Sequence, residues 1–421
     1  MLKYVKLKCL GVWFVMFIER KNYLDRIISF KDKKIIKVIT GIRRCGKSTI
    51  LRMYKDWLME NGVDANQIIW VNLDSLEFED LRNYRALYEH IKALMIENKM
   101  NYIIIDEVQE CEQFQKVVDS LFLMDNADIY ITGSNAHLLS GELATFLSGR
   151  YITIEMLPLS FKEFVDGLEL NGESVVDKES VFRQYLKYGS LPFVLSLGGD
   201  EERVFTYLEG VYNTIFIKDV VSRNKITNQQ MLEDLTKFCF DNVGNITSSK
   251  KISDTMTSFN RKITTPTVEN YLGYLKDCYL IYKVDRYDIK GKMYLKSLSK
   301  YYVADLGLRN YLLGYKDLDR GHILENVVYL EILRRGFKVY IGKVDDMEVD
   351  FVAVKGSEVV YVQVAETIRD EQTFEREMRP LRQINDFNRR VVITSDYDVN
   401  ESYKGIKHLN VIDFLLNENS I

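Results

Sequence analysis

Gly41-Ile42-Arg43-Arg44-Cys45-Gly46-Lys47-Ser48 fits G-x-x-x-x-G-K-[ST] at every fixed position. Such a stretch suits one kind of chemistry. Its glycines let the chain wrap tightly, so that backbone N–H groups converge on phosphate oxygens. A helix beginning at the same point adds partial positive charge. Lys47 is then expected to reach the β- and γ-phosphates of ATP, and Ser48 to ligate Mg2+. The residues expected against the nucleotide are Gly41, Arg44, Cys45, Gly46, Lys47, Ser48 and Thr49. Cys45 reads as a loop residue rather than a redox centre.

A second constellation follows about 60 residues later, where the apolar run Tyr102–Ile105 ends in Asp106-Glu107. A buried strand delivers both carboxylates to its C-terminal end, the edge at which α/β sheets place ligands. Asp106 is expected to hold Mg2+, directly or through water, and Glu107 to orient and deprotonate the attacking water. The next run, Ile129–Thr132, ends in Gly133-Ser134-Asn135. Asn135, chosen over Ser134, is the candidate contact to the γ-phosphate or the lytic water. The alternative is a turn residue bonding its own backbone. Arg150 precedes another strand and is the candidate for stabilising phosphoryl charge, in cis or from a neighbouring subunit. A surface salt bridge is the plainer account of that arginine.

These residues need a scaffold that alternates strands and helices. The runs Ile35–Thr40, Ile68–Leu73, Tyr102–Ile105, Ile129–Thr132 and Ile152–Ile154 alternate with helical patterns, which predicts an α/β fold with a parallel sheet. The expected organisation is an ATPase core over 1–164, a helical lid over 165–228, a third module over 229–310 and a fourth over 311–421. No internal repeat is evident.

The chain resembles a family of prokaryotic AAA+-type P-loop ATP-binding proteins. The resemblance rests on the phosphate loop with its Arg43-Arg44 pair, IIIDEVQ (Ile103–Gln109), TGSNAHLL (Thr132–Leu139), SGRY (Ser148–Tyr151) and LPLSFKEF (Leu157–Phe164). It extends to KYGSLPF (Lys187–Phe193), KDVVSRNKI (Lys218–Ile226) and GHILENVVYLE (Gly321–Glu331). The resemblance implies ATP binding and hydrolysis, and a C-terminal region built from a winged helix and a restriction-endonuclease-like α/β module. Members of that family begin near the position of Met16. Residues 1–15 are therefore read as an over-long gene start or a buried strand. Although Lys3, Lys6 and Lys8 precede the apolar run Cys9–Ile18, it is too short to span a bilayer, and Glu19-Arg20-Lys21 follows in place of a cleavage site.

Residues 229–310 are read as the winged helix, with two helical patterns. Thr265-Pro266 starts a helix, and Val268, Tyr271, Leu272, Leu275 and Tyr279 form its apolar stripe. Tyr279–Asp285 and Met293–Val303 are the expected wing strands. Residues 248–300 hold 11 Lys/Arg against 5 Asp/Glu, a local +6, which makes DNA a candidate partner there. In the last module Asp350 falls where a metal-dependent nuclease needs an acid, and Gln363 and Ala365 fall at its acid-x-lysine positions, with Glu325 on a preceding helix as a further carboxylate. Gln363 and Ala365 remove one charge and the cation, so cleavage is not expected. Lys343 and Lys355 are the nearest candidates for a replacement lysine.

Composition closes off other classes. With 421 residues, 47% hydrophobic and 28% charged, the chain is neither disordered nor a membrane protein, and a net charge of −4 excludes a globally basic binder. Five scattered cysteines without a CxxC pair give neither a disulfide framework nor a zinc site, which points to the reducing cytoplasm. Four widely spaced histidines leave no His-based metal centre. The expected function is a Mg2+-dependent AAA+-type ATPase coupling its nucleotide state to a C-terminal region that binds DNA or another protein. A homo-oligomer is compatible with this, and no membrane is involved. The alternatives are a slow nucleotide switch assembling a complex, or an ATP-regulated nuclease.

Overall fold

The structure, a computed structural model, describes residues 18–136, 147, 149–315, 320–397 and 402–421. The N-terminal run to residue 17, the part of TGSNAHLL from His137 onward, and Ser148 of SGRY lie outside those residues. The chain divides into two compact units. One comprises residues up to Met156 with Glu163–Val175, and the other comprises Leu157–Lys162 with Val176–Ile421.

In the first unit α1 (Lys21–Ser29) precedes β1 (Ile36–Thr40), α2 (Lys47–Glu60), β2 (Ile68–Asn72), α3 (Tyr84–Leu94), β3 (Asn101–Asp106), α4 (Phe114–Phe122), β4 (Ala127–Gly133) and β5 (Tyr151–Glu155). The five strands form one parallel sheet in the order β2-β3-β4-β1-β5. Each expected apolar run lies within a residue or two of a strand. β1, β3 and β4 are buried along their whole length, as parallel strands covered on both faces must be. Ile36, Val38, Ile103, Ile105, Ile129 and Ile131 share one core with Leu87, Ile91, Val117 and Leu121 from α3 and α4. One charge sits inside β1 against this pattern. Lys37 is fully buried and pairs with Asp128 of β4, whose other oxygen accepts the Tyr130 hydroxyl at 2.8 Å. Tyr130 in turn lies 2.6 Å from the Tyr54 hydroxyl. Burial pushes the Lys37 ammonium down and the Asp128 carboxyl up, and each counters the other.

α5 (Phe161–Leu170) has its first two residues in the second unit and the rest in the first. The second unit continues with α6 (Lys178–Tyr188), α7 (Glu201–Thr214) and a π-helix at Ile215–Ser222 that contains most of the KDVVSRNKI segment. Three helices follow rather than two: α8 (Gln229–Asp241), α9 (Ser249–Ser258) and α10 (Thr265–Asp277). Thr264 caps α10 by accepting the Thr267 N–H, Pro266 lies in the first turn, and Val268, Leu272 and Leu275 are buried. The remaining elements are β6 (Ile281–Asp288), β7 (Met293–Val303), α11 (Leu306–Leu313), α12 (Arg320–Arg334), β8 (Lys338–Val344), β9 (Met347–Lys355), β10 (Glu358–Val364), α13 (Glu371–Arg382), β11 (Arg389–Thr394), β12 (Ser402–Tyr403), β13 (Ile406–Asn410) and α14 (Val411–Leu416). A hairpin forms near the two expected strands, but it does not stand alone. β6 pairs in parallel with β8, so β6 and β7 make one edge of an eight-stranded mixed sheet ordered β12-β13-β11-β10-β9-β8-β6-β7.

KYGSLPF is explained by packing. The buried Asp305 carboxylate accepts the Ser190 N–H at 2.6 Å and the Ser190 hydroxyl at 3.1 Å, and also caps α11 through the Leu308 N–H at 3.1 Å. Gly189 has φ +77°, and a Cβ there would meet Asp305 Oδ1 at 2.3 Å and the Gly307 nitrogen at 2.5 Å. Gly189→Ala should therefore destabilise the second unit by about 3 kcal/mol, combining backbone strain with a clash against backbone. Gly198→Ala, at φ +61° with nothing within 4 Å, should cost only about 1–2 kcal/mol in the same denaturant titration.

Candidate active site

The phosphate loop leaves β1 at Thr40 and enters α2 at Lys47 through three left-handed residues: Gly41 (φ 142°), Arg44 (φ 70°) and Gly46 (φ 106°). Only glycine fits at 41, since a Cβ would lie 2.1 Å from the Met156 carbonyl oxygen. Gly46 caps α2 without a side-chain acceptor, so the first N–H groups of the helix are left for an anion. Lys47 is buried and folds back over the loop, where its ammonium donates to the carbonyls of Gly41 at 3.0 Å and Ile42 at 3.3 Å. Ser48 and Thr49 are half-buried in the first turn, and the Arg44 side chain is exposed. Cys45 is fully buried, and burial pushes its thiol above the usual range, which argues against redox reactivity.

The strand ends converge on this loop. Asp106 closes β3 with 1% exposure and accepts hydrogen bonds from the Thr132 and Ser48 hydroxyls. Burial pushes its carboxyl upward, while those two donors and Lys47 favour the ionised form. Glu107 follows in the left-handed region (φ 53°, ψ 51°), its N–H donating to Thr132 Oγ1 at 2.9 Å and its carboxylate held by the Gln109 amide. Asn135 is buried just beyond β4, and so is its neighbour Ser134. The Ser134 hydroxyl, the Thr40 hydroxyl at the end of β1 and the Gln109 carbonyl oxygen are buried without hydrogen-bond partners. The two hydroxyls could donate to phosphate oxygens at the C-terminal edge of the sheet, and the Gln109 oxygen could accept from a water there. Lys47, Ser48, Asp106 and Glu107 form a set that suits a nucleoside triphosphate, and Ser48 and Asp106 are the oxygen donors that could hold Mg2+ there.

Arg150 is not part of that set. Its carbonyl accepts the Ile36 N–H, which places it beside the start of β1, roughly 15 Å along the sheet from the loop. Its guanidinium pairs with Asp119 at 2.7 Å and lies over the Phe122 ring. Within its own subunit it is a surface ion-pair residue.

The second unit holds a different cluster, lining a cavity of about 1040 Å3. Glu325 of α12, Asp350 of β9 and Gln363 of β10 come together there as expected, with Ala365 beside them. The cation thought missing is present, and it is neither Lys343 nor Lys355. Lys300 of β7, only 3% exposed, places its ammonium 2.6 Å from Glu325 and Glu348 and 3.6 Å from Asp350. Burial disfavours charge on Glu325, but Lys300 holds its carboxyl below the ordinary range. Burial and the Glu325 charge push Asp350 well above it. Gln363 is engaged on both sides, accepting the Asp350 N–H at 3.3 Å and donating to Glu377 at 2.7 Å. Among the described residues no three His, Cys, Asp or Glu side chains converge as a metal site. A lysine in an alternating strand, 25 residues before Glu325, carried no sequence signal for these ion pairs.

The basic stretch 248–300 is also partly consumed by internal pairs. Arg261 binds Asp234 at 2.8 Å, Lys283 binds Asp285 at 2.8 Å, Lys290 binds Asp345 at 2.6 Å, and Lys300 is buried. Lys250, Lys251, Lys262, Lys276 and Lys292 remain exposed.

Comparison with known proteins agrees with the geometry of the first unit. Residues 33–165 match the AAA domain family, and residues 179–319 match a domain of unknown function, DUF8612. An uncharacterized protein of Haemophilus influenzae is 41% identical over 95% of this chain and 98% of its own length. Another, from Methanocaldococcus jannaschii, is 32% identical over 86% of this chain and 82% of its own. Among solved structures the Walker-type ATPase of Pyrococcus abyssi superposes with a TM-score of 0.50 at 15% identity, covering 70% of this chain and 96% of that one, a likeness of fold. No helix among the described residues is long and apolar enough to cross a membrane. The phosphate loop, the parallel sheet and the near full-length relatives together establish that this chain belongs to a family of AAA-type P-loop ATP-binding proteins that carry a C-terminal domain of unknown function.

Proposed function

We propose that the chain is a Mg2+-dependent ATPase whose nucleotide state controls a DNA-binding C-terminal unit. The observation that carries the ATPase reading is the convergence of Lys47, Ser48, Asp106 and Glu107 at one edge of the sheet, with Thr132 bonded to both Asp106 and Glu107. In this reading Lys47 leaves the Gly41 and Ile42 carbonyls for the β- and γ-phosphates. Glu107 takes a proton from the water that attacks the γ-phosphorus, and ADP leaves with the bridging oxygen. Ser134, or Asn135 beside it, contacts the γ-phosphate or that water.

The DNA reading rests on α8, α9, α10 and the β6–β7 hairpin, whose order is that of a winged helix. The exposed Lys250 and Lys251 at the start of α9, and Lys262 just before α10, supply the charge. Lys300 favours a second reading, a nuclease, because it restores a cation beside Asp350. Its close ion pairs with Glu325 and Glu348 favour instead a charge-compensated cluster that binds or assembles without cutting.

Lys47→Ala should abolish ATP binding, whereas Glu107→Gln should keep binding and lose turnover by about 10²-fold or more. Equilibrium binding and steady-state phosphate release on both variants separate the two roles, and wild-type turnover in Glu107→Gln would remove its assignment as base.

Reversing Lys250, Lys251 and Lys262 to Glu together should eliminate duplex binding at low salt. Each lysine alone should lower the salt slope by about one. Fluorescence anisotropy across a salt series reads both effects, and a reversal set that binds like wild type sinks the assignment. With ATP and either Mg2+ or Mn2+, the full chain should leave single- and double-stranded DNA and RNA intact. Cleavage abolished by both Asp350→Ala and Lys300→Ala would instead establish the nuclease reading.

A further inference from the structure

Arg20 lies before α1, outside every motif singled out in the sequence, yet its side chain is among the most buried charges of the first unit at 4% exposure. Its guanidinium grips the Glu163 carboxylate at both oxygens, Nε to Oε1 at 3.1 Å and Nη2 to Oε2 at 2.9 Å. The remaining nitrogen, Nη1, donates to the Cys45 carbonyl at 2.9 Å. The ring of Tyr23 lies 4.7 Å beneath the guanidinium carbon. The fork geometry, the stacked ring and the burial fix this group from several directions.

We propose that Arg20, anchored by Glu163, is a positioning residue of the phosphate loop, pinning the Cys45 carbonyl so that the Gly46 N–H is aimed at the phosphate chain. This rests on the nucleotide reading of the loop. In a trans peptide the carbonyl and the following N–H point in opposite directions. Holding the Cys45 oxygen on Arg20 therefore commits the next N–H to the other side of the loop. The peptide needs such a hold, because the residues flanking Cys45, Arg44 at φ 70° and Gly46 at φ 106°, are both in the left-handed region. Arginine suits the task where lysine does not. One planar fork serves a carboxylate and a carbonyl at once, whereas an ammonium at the same depth lacks the reach and the fixed angles.

The test uses the full chain with Arg20→Ala, Arg20→Lys and Glu163→Gln, binding MgADP, MgATP and adenosine in parallel, with thermal melting to verify folding. A lost charge-assisted hydrogen bond to phosphate should weaken MgADP about ten-fold or more in Arg20→Ala, while adenosine affinity stays within about two-fold. KM for ATP should rise with kcat nearly retained, the pattern of a contact made equally in ground and transition states. Arg20→Lys should recover only part of the loss. Glu163→Gln, which keeps the arginine but loosens its anchor, should show a smaller phosphate-specific loss, and it keeps the test decisive if Arg20→Ala does not fold. Equal losses for MgADP and adenosine, or undiminished MgADP binding in Glu163→Gln and a folded Arg20→Ala, would overturn the proposal. A wild-type chain that binds neither ADP nor ATP would sink the nucleotide reading itself.

Discussion

The hydroxyl of Thr132 connects the parts of the first unit on which everything else there depends. It donates to Asp106 and accepts the Glu107 N–H, so one side chain fixes both the Asp106 carboxylate and the backbone of Glu107. That arrangement exists because β3 and β4 are parallel and in register, with Ile105 opposite Ile131. Slipping the register by one residue would turn every isoleucine of β4 from one face of the sheet to the other. The apolar core thus enforces the geometry of the polar edge. Glu107 adopts left-handed backbone angles within this frame, as strained residues at functional edges do when their surroundings over-determine them.

Buried charge is handled in three ways across the molecule. Lys37 and Asp128 neutralise each other between adjacent strands, with Tyr130 completing the carboxylate's hydrogen bonds. Arg20 is shared between a carboxylate and a loop carbonyl. Lys300 faces three carboxylates at once, pairing closely with Glu325 and Glu348 and more distantly with Asp350. Removing one member of a buried pair strands its partner and costs about 3–5 kcal/mol, whereas the intact pair contributes little net stability. Such groups are better understood as devices that fix geometry than as sources of folding energy.

The first unit was legible in the sequence because its determinants are local. Phosphate loop, strand and following helix are contiguous, and the apolar runs mark β1 to β5 to within a residue or two. What escaped were relations between distant segments. Arg20 and Cys45 are 25 residues apart and Arg20 and Glu163 are 143 apart, so no spacing rule links them. Lys300, which no acid-x-lysine spacing singles out, comes beside Asp350 from a different strand, 50 residues away in sequence. Arg150 was placed by its position before a strand. Strand polarity puts it at the end of the sheet away from its own chain's phosphate loop, a distinction invisible until the strands are known to be parallel. The count of basic residues in 248–300 likewise said nothing of Asp234 or Asp345, which lie outside that window and pair with two of them.

The pairing of β6 with β8 has a consequence for how this chain can be inherited and divided. The segment that recurs as a recognisable sequence unit ends at residue 319, yet the sheet runs on across that point, from Asp288 on one side to Lys343 on the other. Severing the chain there would leave a hairpin without its neighbour and a bared strand edge on β8, the kind of surface that pairs indiscriminately with other chains. Sequence modularity and folding modularity therefore do not coincide. Recombination between relatives would have to exchange the helices, the hairpin and the C-terminal strands as one piece.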